Sequence, residues 1–381
     1  MEKFAWRDLI DINIRVLKIG GLWPKNEQFK KCSVYSCVTL LVLVCITAHA
    51  AGQLINIVFV YSNLDIFAES FFVCIYKTQS LMKIYIFVRK MPLLRSLMLD
   101  LKSDLFKPRS YRQLLLIWPD VKTWKNVYYM LSGAATFGLL MWLMFPILSG
   151  SYRTYALPFF SWYPYDITKP LIYKLTYLHQ TASSFLLILG CFNIDMLISA
   201  LMMYTGAQCD ILCDNLRSTG FEMGDFEKTF RRCVLHHKRI LRFANTCDDF
   251  FKVILFGQFL YSSVCIATTL FRVASLTPSS FEFYSHIFAI TAIITQMFTY
   301  CWFGAKVETK SGAICYAAFE SEWVQEDVYS KRNFIIFTQR AQRPIRFSAF
   351  KLLYLSLEIF VKILKTAVSY YTVLLELSDA K

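Results

Sequence analysis

The sequence predicts an all-α, polytopic membrane protein with seven transmembrane helices, a cytoplasmic N-terminus and an extracellular C-terminus. Three observations support this prediction: an apolar composition, seven long apolar stretches, and an uneven distribution of Lys and Arg. Of the 381 residues, 56% are hydrophobic and 17% are aromatic, and the mean hydropathy is +0.42. Soluble domains are about 45–50% apolar, and here the excess lies in long blocks.

Each of the seven stretches is long enough for a helix to cross a bilayer, which takes roughly 20 apolar residues. The stretches are 33–60, 65–89, 127–149, 171–206, 252–276, 284–304 and 349–377. The segment before the first stretch is too long and too basic for a cleaved signal peptide, so that stretch is expected to stay as an anchor. The fourth stretch exceeds the bilayer thickness, so it tilts or continues into the cytoplasm. With no internal repeat, residues 1–381 are expected to form one membrane domain.

The orientation follows from the basic residues, which concentrate on the cytoplasmic side of membrane proteins. Segments 1–32, 90–126, 207–252 and 305–348 hold 30 of the 41 Lys and Arg residues, whereas 61–64, 150–170, 277–283 and 378–381 hold three. The net charge of +14 is therefore spread over the cytoplasmic ends of the spans. It forms no basic platform with interleaved aromatics, so no nucleic-acid partner is expected.

The cytoplasmic segments are expected to be helical. Segment 90–126 contains Pro92, Pro108 and Pro119 and is predicted to form helical extensions broken by turns. Segment 207–252 is predicted to be a hairpin that continues spans four and five. Residues 3–19 form an amphipathic pattern that ends at Gly20, which predicts a short helix on the inner membrane surface.

The cysteines and histidines give no clear metal site or cofactor site. All twelve cysteines fall in predicted spans or cytoplasmic segments, so no extracellular disulfide is expected. Cys209 and Cys213 could be combined with His236 and His237 as zinc ligands. Adjacent histidines diverge on a helix, however, so buried thiols are the favoured interpretation.

The outer loop 150–170, with the sequence GSYRTYALPFFSWYPYDITKP, is the largest extracellular segment. Its aromatic residues are typical of an interfacial belt at the membrane surface. They are also compatible with a lid over an apolar ligand site, and the two interpretations do not exclude each other.

The last predicted helix carries a stripe of polar residues along one face. The stripe comprises Lys351, Glu358, Lys362, Lys365, Ser369, Thr372 and Glu376. The gaps of three, four and seven residues place these side chains on one side of a helix. Such a stripe could bond neighbouring helices. Its length of about 27 Å from Glu358 to Glu376 instead favours contact with an aqueous path.

A single helix cannot enclose a pore, so a water-facing stripe requires several subunits around one axis. Near the outer end, Val373 and Leu377 lie beside the polar stripe. Rings of these side chains could close a narrow pore by dewetting. A ring of Glu376 side chains would attract permeating cations, with Thr372 and Ser369 lining the pore further in.

The C-terminal 80 residues resemble the insect odorant receptor family. The resembling elements are Tyr300-Cys301 followed by Gly304, the segment from Tyr316 to Trp323, the run RAQRP at 340–344, and the terminal SYYTVL at 369–374. The family implies tetrameric, odorant-gated, non-selective cation channels in the plasma membrane of olfactory sensory neurons, expected in their dendrites. It also implies a pore lined by the last helix and a cytoplasmic helical anchor region made by segments 90–126, 207–252 and 305–348.

The resemblance further implies that Val373 and Leu377 form the outer gate, with Glu376 where the shared co-receptor has an amide. The short loop between spans four and five resembles that of a ligand-tuning subunit, which assembles with co-receptor subunits. The family's pocket lies in the outer half of spans two, three, four and six and takes a small volatile odorant. Residues placed there by depth are Phe71, Phe72, Ile75, Trp142, Phe145, Tyr152, Tyr177, Gln180, Thr181, Ser184, Ile287 and Thr291.

Other functional classes fit the sequence less well. A G-protein-coupled receptor has the opposite orientation, and a secondary transporter usually shows repeated halves. No nucleophile elbow, phosphate loop or zinc-protease motif is present, so an enzyme is not expected. The nearest alternative is a gustatory-type receptor that works as a homomeric ligand-gated cation channel.

Overall fold

The computed structural model describes residues 6–23, 34–60, 64–219, 226–278 and 280–379. These residues form a bundle of long helices. The helices are α1 Trp6–Leu9, α2 Asp11–Ile19, α3 Val34–Val60, α4 Leu64–Arg89, α5 Met91–Leu101, α6 Tyr111–Leu148, α7 Pro170–Arg217, α8 Phe226–Ser275, α9 Phe281–Phe319, α10 Val328–Ala341 and α11 Leu357–Asp379. Two 3-10 turns lie at Ser151–Thr154 and Trp323–Gln325, and strands β1 Ser348–Ala349 and β2 Leu353–Tyr354 pair antiparallel.

Within the described residues, six helices are long and apolar enough to cross a membrane: α3, α4, α6, α7, α8 and α9. The seventh crossing is α11, which has 23 residues but carries the charges of the polar stripe. Helices α7 and α8 have 48 and 50 residues, or about 72 and 75 Å at 1.5 Å per residue. Because the hydrocarbon core is only about 30 Å thick, both helices extend far into the cytoplasm.

The cytoplasmic half contains the densest packing. From Asn193 to Leu216, nearly every side chain of α7 is buried, because α6, α8 and α9 surround it. Helix α10 closes this region through Phe334, whose ring stacks on Trp323 at a centroid distance of 4.6 Å. These extensions include the segments for which the sequence predicts a cytoplasmic helical region.

Segment 90–126 forms two helices separated by a turn, as predicted, and of its three prolines only Pro108 lies in that turn. Helix α5 ends at Leu101, and α6 begins at Tyr111 and continues through Pro119. Ser110 caps α6, since its hydroxyl accepts a hydrogen bond from the Gln113 backbone N–H at 3.2 Å. The turn therefore lies at residues 102–110, and the third membrane span is the outer part of a 38-residue helix.

The N-terminal segment packs on protein rather than on the membrane surface. The described part splits into α1 and α2 at Ile10, which is buried. Trp6 donates its indole N–H to the Phe106 carbonyl at 2.8 Å, and Asn13 donates to the Asn193 carbonyl at 2.9 Å. The prediction of a helix on the inner membrane surface is therefore wrong, because α7 and the turn before α6 cover the apolar face of this segment.

The last helix begins later than residue 349, where the sequence predicts it. Residues 348–354 form the β1–β2 hairpin, and Phe350 and Lys351 at its tip have φ angles of 56° and 60°. Such left-handed conformations do not continue an α-helix. The Ser348 backbone N–H also donates to the Asp248 carboxylate at 2.8 Å. Lys351 therefore does not belong to the polar stripe, and the all-α class includes one short hairpin.

A buried polar network joins four helices inside the bundle. Lys83 of α4 forms a salt bridge with Asp195 of α7 at 2.7 Å, and its ammonium also donates to the Gln258 side chain of α8 at 3.0 Å. Gln258 donates to Gln296 of α9 at 2.9 Å, and Gln296 donates to Asp195. Charges at this depth are stable only when paired and hydrogen-bonded, so the network fixes how these helices meet.

Gly304 allows α9 to approach the segment before α11. A Cβ added at Gly304 would lie 2.5 Å from Leu355 Cβ, whereas one added at Gly312 on the same helix meets nothing within 4 Å. Gly304→Ala should therefore destabilise the purified protein by about 1–3 kcal/mol. Gly312→Ala, the matched control, should be neutral or slightly stabilising. Equal melting temperatures for the two variants, measured by thermal unfolding, would contradict this account.

Candidate ligand site and pore-facing helix

The outer loop folds inward between the membrane helices. Phe159 forms two backbone hydrogen bonds with the buried Gln180 side chain of α7, accepting at 3.0 Å and donating at 3.1 Å. The Gln180 amide also donates to the Tyr163 hydroxyl at 3.1 Å. Burial raises the pKa of Tyr163, which keeps this hydroxyl protonated.

Further contacts attach the same loop to the neighbouring helices. The Trp162 backbone N–H donates to the Gly52 carbonyl of α3 at 2.9 Å. Trp142 of α6 donates its indole N–H to Pro158 at 3.1 Å, and its ring stacks on Phe159 with a centroid distance of 6.1 Å. The loop is thus part of the outer core, with Trp162 and Tyr165 still exposed at the surface.

The residues predicted for the pocket divide into two groups. Most of them are buried or half-buried within the bundle: Phe71, Phe72, Ile75, Trp142, Phe145, Tyr177, Gln180, Thr181 and Ser184. Three of them are exposed at the protein surface: Tyr152, Ile287 and Thr291. Tyr177 donates to the Leu143 carbonyl of α6, which joins spans three and four near the loop. The buried hydroxyls of Thr181 and Ser184 have no hydrogen-bond partner.

Four residues at the centre of this region are absent from the predicted pocket: Lys77, His49, Phe159 and Ser183. Lys77 of α4 lies 2.8 Å from His49 Nε2 of α3 and 4.5 Å from the centre of the Phe159 ring. His49 Nδ1 lies 2.5 Å from the Ser183 hydroxyl of α7. A charged residue and a histidine within apolar stretches are a visible signal, because ionisable groups at membrane depth are costly. No comparable feature of the sequence indicates that the outer loop places Phe159 inside the bundle.

Helix α11 packs with one face on α8 and α9 and leaves the other uncovered. Phe360, Ile363 and Leu364 pack against the core, and Ala367 is fully buried. The predicted pore residues Ser369, Thr372, Val373 and Glu376 are all exposed. Leu377 lies in the helix, but its side chain is outside the part of the structure that is described.

The polar stripe carries charges that are only partly paired. Lys362 forms a salt bridge with Glu358 at 2.6 Å. Among the described side chains, Lys365 and Glu376 form no ion pair. The Ser369 and Thr372 hydroxyls donate to carbonyls of their own helix, at 3.0 and 2.8 Å. Their oxygen lone pairs therefore remain available to water on the uncovered face.

The cysteines and histidines considered as metal ligands have other neighbours. His236 lies 3.0 Å from the Gln208 side chain, and the His237 ring packs edge-on against Phe337 at 5.2 Å. Cys209 and Cys213 are buried in α7. In the described parts of the chain, no three metal-ligating side chains group together.

Comparison with known proteins identifies the family. The model of the family described as 7tm Odorant receptor matches residues 63–368. The chain belongs to the 7tm odorant receptor family. Because the members are multi-pass receptors, family membership confirms the resemblance seen in the C-terminal residues and the expectation of a receptor rather than an enzyme.

Similar odorant receptors occur in several insects. The chain is 21% identical to Odorant receptor Or1 of Anopheles gambiae, over 98% of this chain and 96% of that receptor. It is 23% identical to Odorant receptor 22c of Drosophila melanogaster, over 93% and 94% of the two chains. The match to Odorant receptor 13a of the same species is 26% identical and spans 56% of this chain and 55% of that receptor.

Solved structures show the same fold. The insect olfactory receptor OR5 of Machilis hrabei in complex with eugenol superposes with a TM-score of 0.87 at 18% identity, covering 98% of each chain. A second structure of OR5 gives the same TM-score of 0.87 at 18% identity, over 97% of this chain and 98% of that one. The seven-span odorant receptor fold is therefore that of this chain.

Gln180 should control how firmly the outer loop is held. In Gln180→Leu the Phe159 backbone loses both hydrogen bonds to the side chain, which costs about 1–3 kcal/mol. Trypsin should then cut the loop at Arg153 and Lys169 about tenfold faster in the folded protein. The control is Thr181→Val, because the Thr181 hydroxyl has no partner. If both variants are cut at the rate of the unmodified protein, Gln180 does not hold the loop.

Proposed function

We propose that this odorant receptor is the odorant-binding subunit of a heterotetrameric, ligand-gated, non-selective cation channel that includes shared co-receptor subunits. The observation that carries the proposal is the uncovered polar face of α11. The proposed channel would lie in the plasma membrane, in the dendrites of olfactory sensory neurons.

Contact with lipid would be energetically unfavourable for the uncovered face of α11. The exposed stripe runs from Lys362 to Glu376, about 21 Å along the helix. A charged side chain at the bilayer centre costs at least about 2.5–3.5 kcal/mol, and this face carries Lys365 and Glu376 without an ion pair to a described side chain. Water along a central axis removes this cost. In the proposed tetramer four last helices, one from each subunit, surround the axis, and the stripe on α11 of this chain would face the water between them.

Exposed apolar residues in the cytoplasmic region support an assembly of subunits. Val328 is 86% exposed, Tyr316 73%, Ile335 60% and Ile336 58%. These residues belong to the cytoplasmic end of α9 and to α10, where water rather than lipid is the solvent. Exposed apolar clusters in such places mark protein interfaces, and here they would hold neighbouring subunits together.

The outer half of the bundle is the proposed site of the odorant. OR5 of Machilis hrabei has been solved with eugenol, a small aromatic molecule. In this chain Trp142, Tyr177 and Gln180 lie where the outer loop enters the bundle, and Thr181 and Ser184 have hydroxyls without partners. An odorant opens the channel only if it binds the open state more tightly than the closed state.

Glu376→Gln should change permeation without changing odorant selectivity. Removing one carboxylate near the outer mouth should lower single-channel cation conductance roughly two- to threefold, because the attraction of cations weakens. The ranking of odorants should stay the same. Glu282→Gln, at the exposed outer end of α9, makes the same charge change away from α11 and serves as the control. Equal conductance in the Glu376→Gln variant and the unmodified protein contradicts a pore-mouth position.

Pocket substitutions should have the opposite effect. Tyr177→Leu and Phe145→Leu should reorder the responses to an odorant panel and leave single-channel conductance unchanged. The measurement is current from cells that express this chain with the co-receptor. Full odorant-gated currents from this chain alone would show a homomeric channel of the gustatory type instead. Absence of odorant-gated current under both conditions would overturn the channel proposal.

A further inference from the structure

Lys77 lies in the middle of the bundle, and none of the described side chains provides it with a counter-ion. It is 3% exposed and sits halfway along α4. Its ammonium contacts the His49 ring and the face of Phe159, and no carboxylate among the described side chains pairs with it. Lys83, six residues further along α4, is equally buried but has Asp195 as a partner. An isolated charge in a low dielectric is far costlier than a paired one.

The surroundings of Lys77 are rich in polar groups that lack partners. On α3, Gln53 and Asn56 follow His49 at spacings of four and three residues, so the three share one helix face. Ser70 lies two helical turns from Lys77 on the same face of α4. Six polar side chains on these helices, the outer loop and α7 have a buried atom with no hydrogen-bond partner among the residues that the structure describes: Gln53, Asn56, Ser70, Ser161, Thr181 and Ser184.

These groups belong to one region of the molecule. Helices α3, α4 and α7 contact one another pairwise, and the loop from Phe159 to Tyr163 covers their outer ends. Buried polar atoms without partners are uncommon in proteins and indicate a bound molecule or water. A site with a buried cation and several free donors and acceptors suits a polar ligand group with negative charge.

Phe159 occupies the side of Lys77 that faces the loop. Its ring centre lies 4.5 Å from the ammonium, a cation–π distance. A carboxylate attracts an ammonium more strongly than an aromatic ring does, so an anionic ligand group can replace the ring at this position. The same replacement would separate Phe159 from Lys77 and change how the loop sits on the bundle.

We infer that Lys77, with His49 and Ser183, forms a recognition site for small organic acids whose carboxylate pairs with the Lys77 ammonium. The inference rests on the proposed odorant-binding function and names the chemical class of ligand. The acid's hydrocarbon tail lies among the apolar side chains of the outer half, and its carboxylate lies beneath Phe159. The resulting ion pair has no net charge, which removes the cost of the isolated cation.

The test compares an acid with its uncharged counterpart. Currents are recorded from cells that express the chain with the co-receptor, during application of hexanoic acid and methyl hexanoate. The unmodified protein should respond to lower concentrations of the acid than of the ester. Lys77→Met should weaken the acid response roughly 10- to 100-fold, the effect of losing a charged hydrogen bond, and change the ester response less than about threefold. Phe159→Leu, which removes the ring, should strengthen the acid response.

If no current appears, binding of the acid to the purified receptor is measured instead. Hexanoic acid should raise the melting temperature of the purified receptor more than methyl hexanoate does, and Lys77→Met should abolish this difference. The inference is overturned if acid and ester act equally on the unmodified protein. It is also overturned if Lys77→Met weakens both responses alike. Currents with neutral odorants but without acid preference would leave the channel proposal intact and reject the acid site alone.

Discussion

The free-energy cost of a charge in hydrocarbon determines how this receptor is built. A buried ammonium or carboxylate is stable in a membrane only if it meets an opposite charge, a set of hydrogen bonds or water. Lys83 and Asp195 meet the first condition, with Gln258 and Gln296 completing their hydrogen bonds. These four side chains come from four helices. The need to pair the Lys83 and Asp195 charges therefore sets the relative positions of α4, α7, α8 and α9.

The same requirement connects the two proposed sites to the fold. Lys77 lies inside the bundle and, among the described side chains, has no carboxylate partner of the kind that Lys83 has in Asp195. The proposed acid site rests on this difference. Lys365 and Glu376 lie on the outside of a single chain, where only water in an assembly can solvate them. The proposed ligand site and the proposed pore therefore depend on the same electrostatic cost, the first inside the subunit and the second between subunits.

Much of the fold could be predicted because the bilayer imposes length and orientation. Apolar stretches and the asymmetry of Lys and Arg gave seven crossings and their direction. The start of α11 was wrong, because the conformations of Phe350 and Lys351 depend on contacts such as that of Ser348 with Asp248. The amphipathic pattern before Gly20 was correct, but a pattern alone does not tell whether lipid or protein covers an apolar face.

The candidate sites were predicted less completely, for geometric reasons. Trp142 and Gln180, which were chosen by depth along their helices, contact the outer loop in the structure. Depth, however, says nothing about direction around the helix axis. Ile287 and Thr291 accordingly lie on an exposed side of α9. The position of Phe159 beside Lys77 depends on the path of a long loop. Hydrogen bonds to Gln180 determine that path, and no local sequence pattern predicts them. The polar stripe on α11 was easier to predict, because the spacing of its residues places their side chains on one face of a helix.

The most direct test of this account asks whether water reaches α11 in the assembled receptor. Ser369→Cys is expressed with the co-receptor and exposed to a charged thiol reagent that does not cross membranes. Ile363→Cys, on the face packed against the core, is the control. The account predicts that the reagent changes the odorant-gated current irreversibly in the Ser369→Cys variant and leaves the control unaffected. Currents that stay unchanged in the Ser369→Cys variant would contradict a water-facing helix.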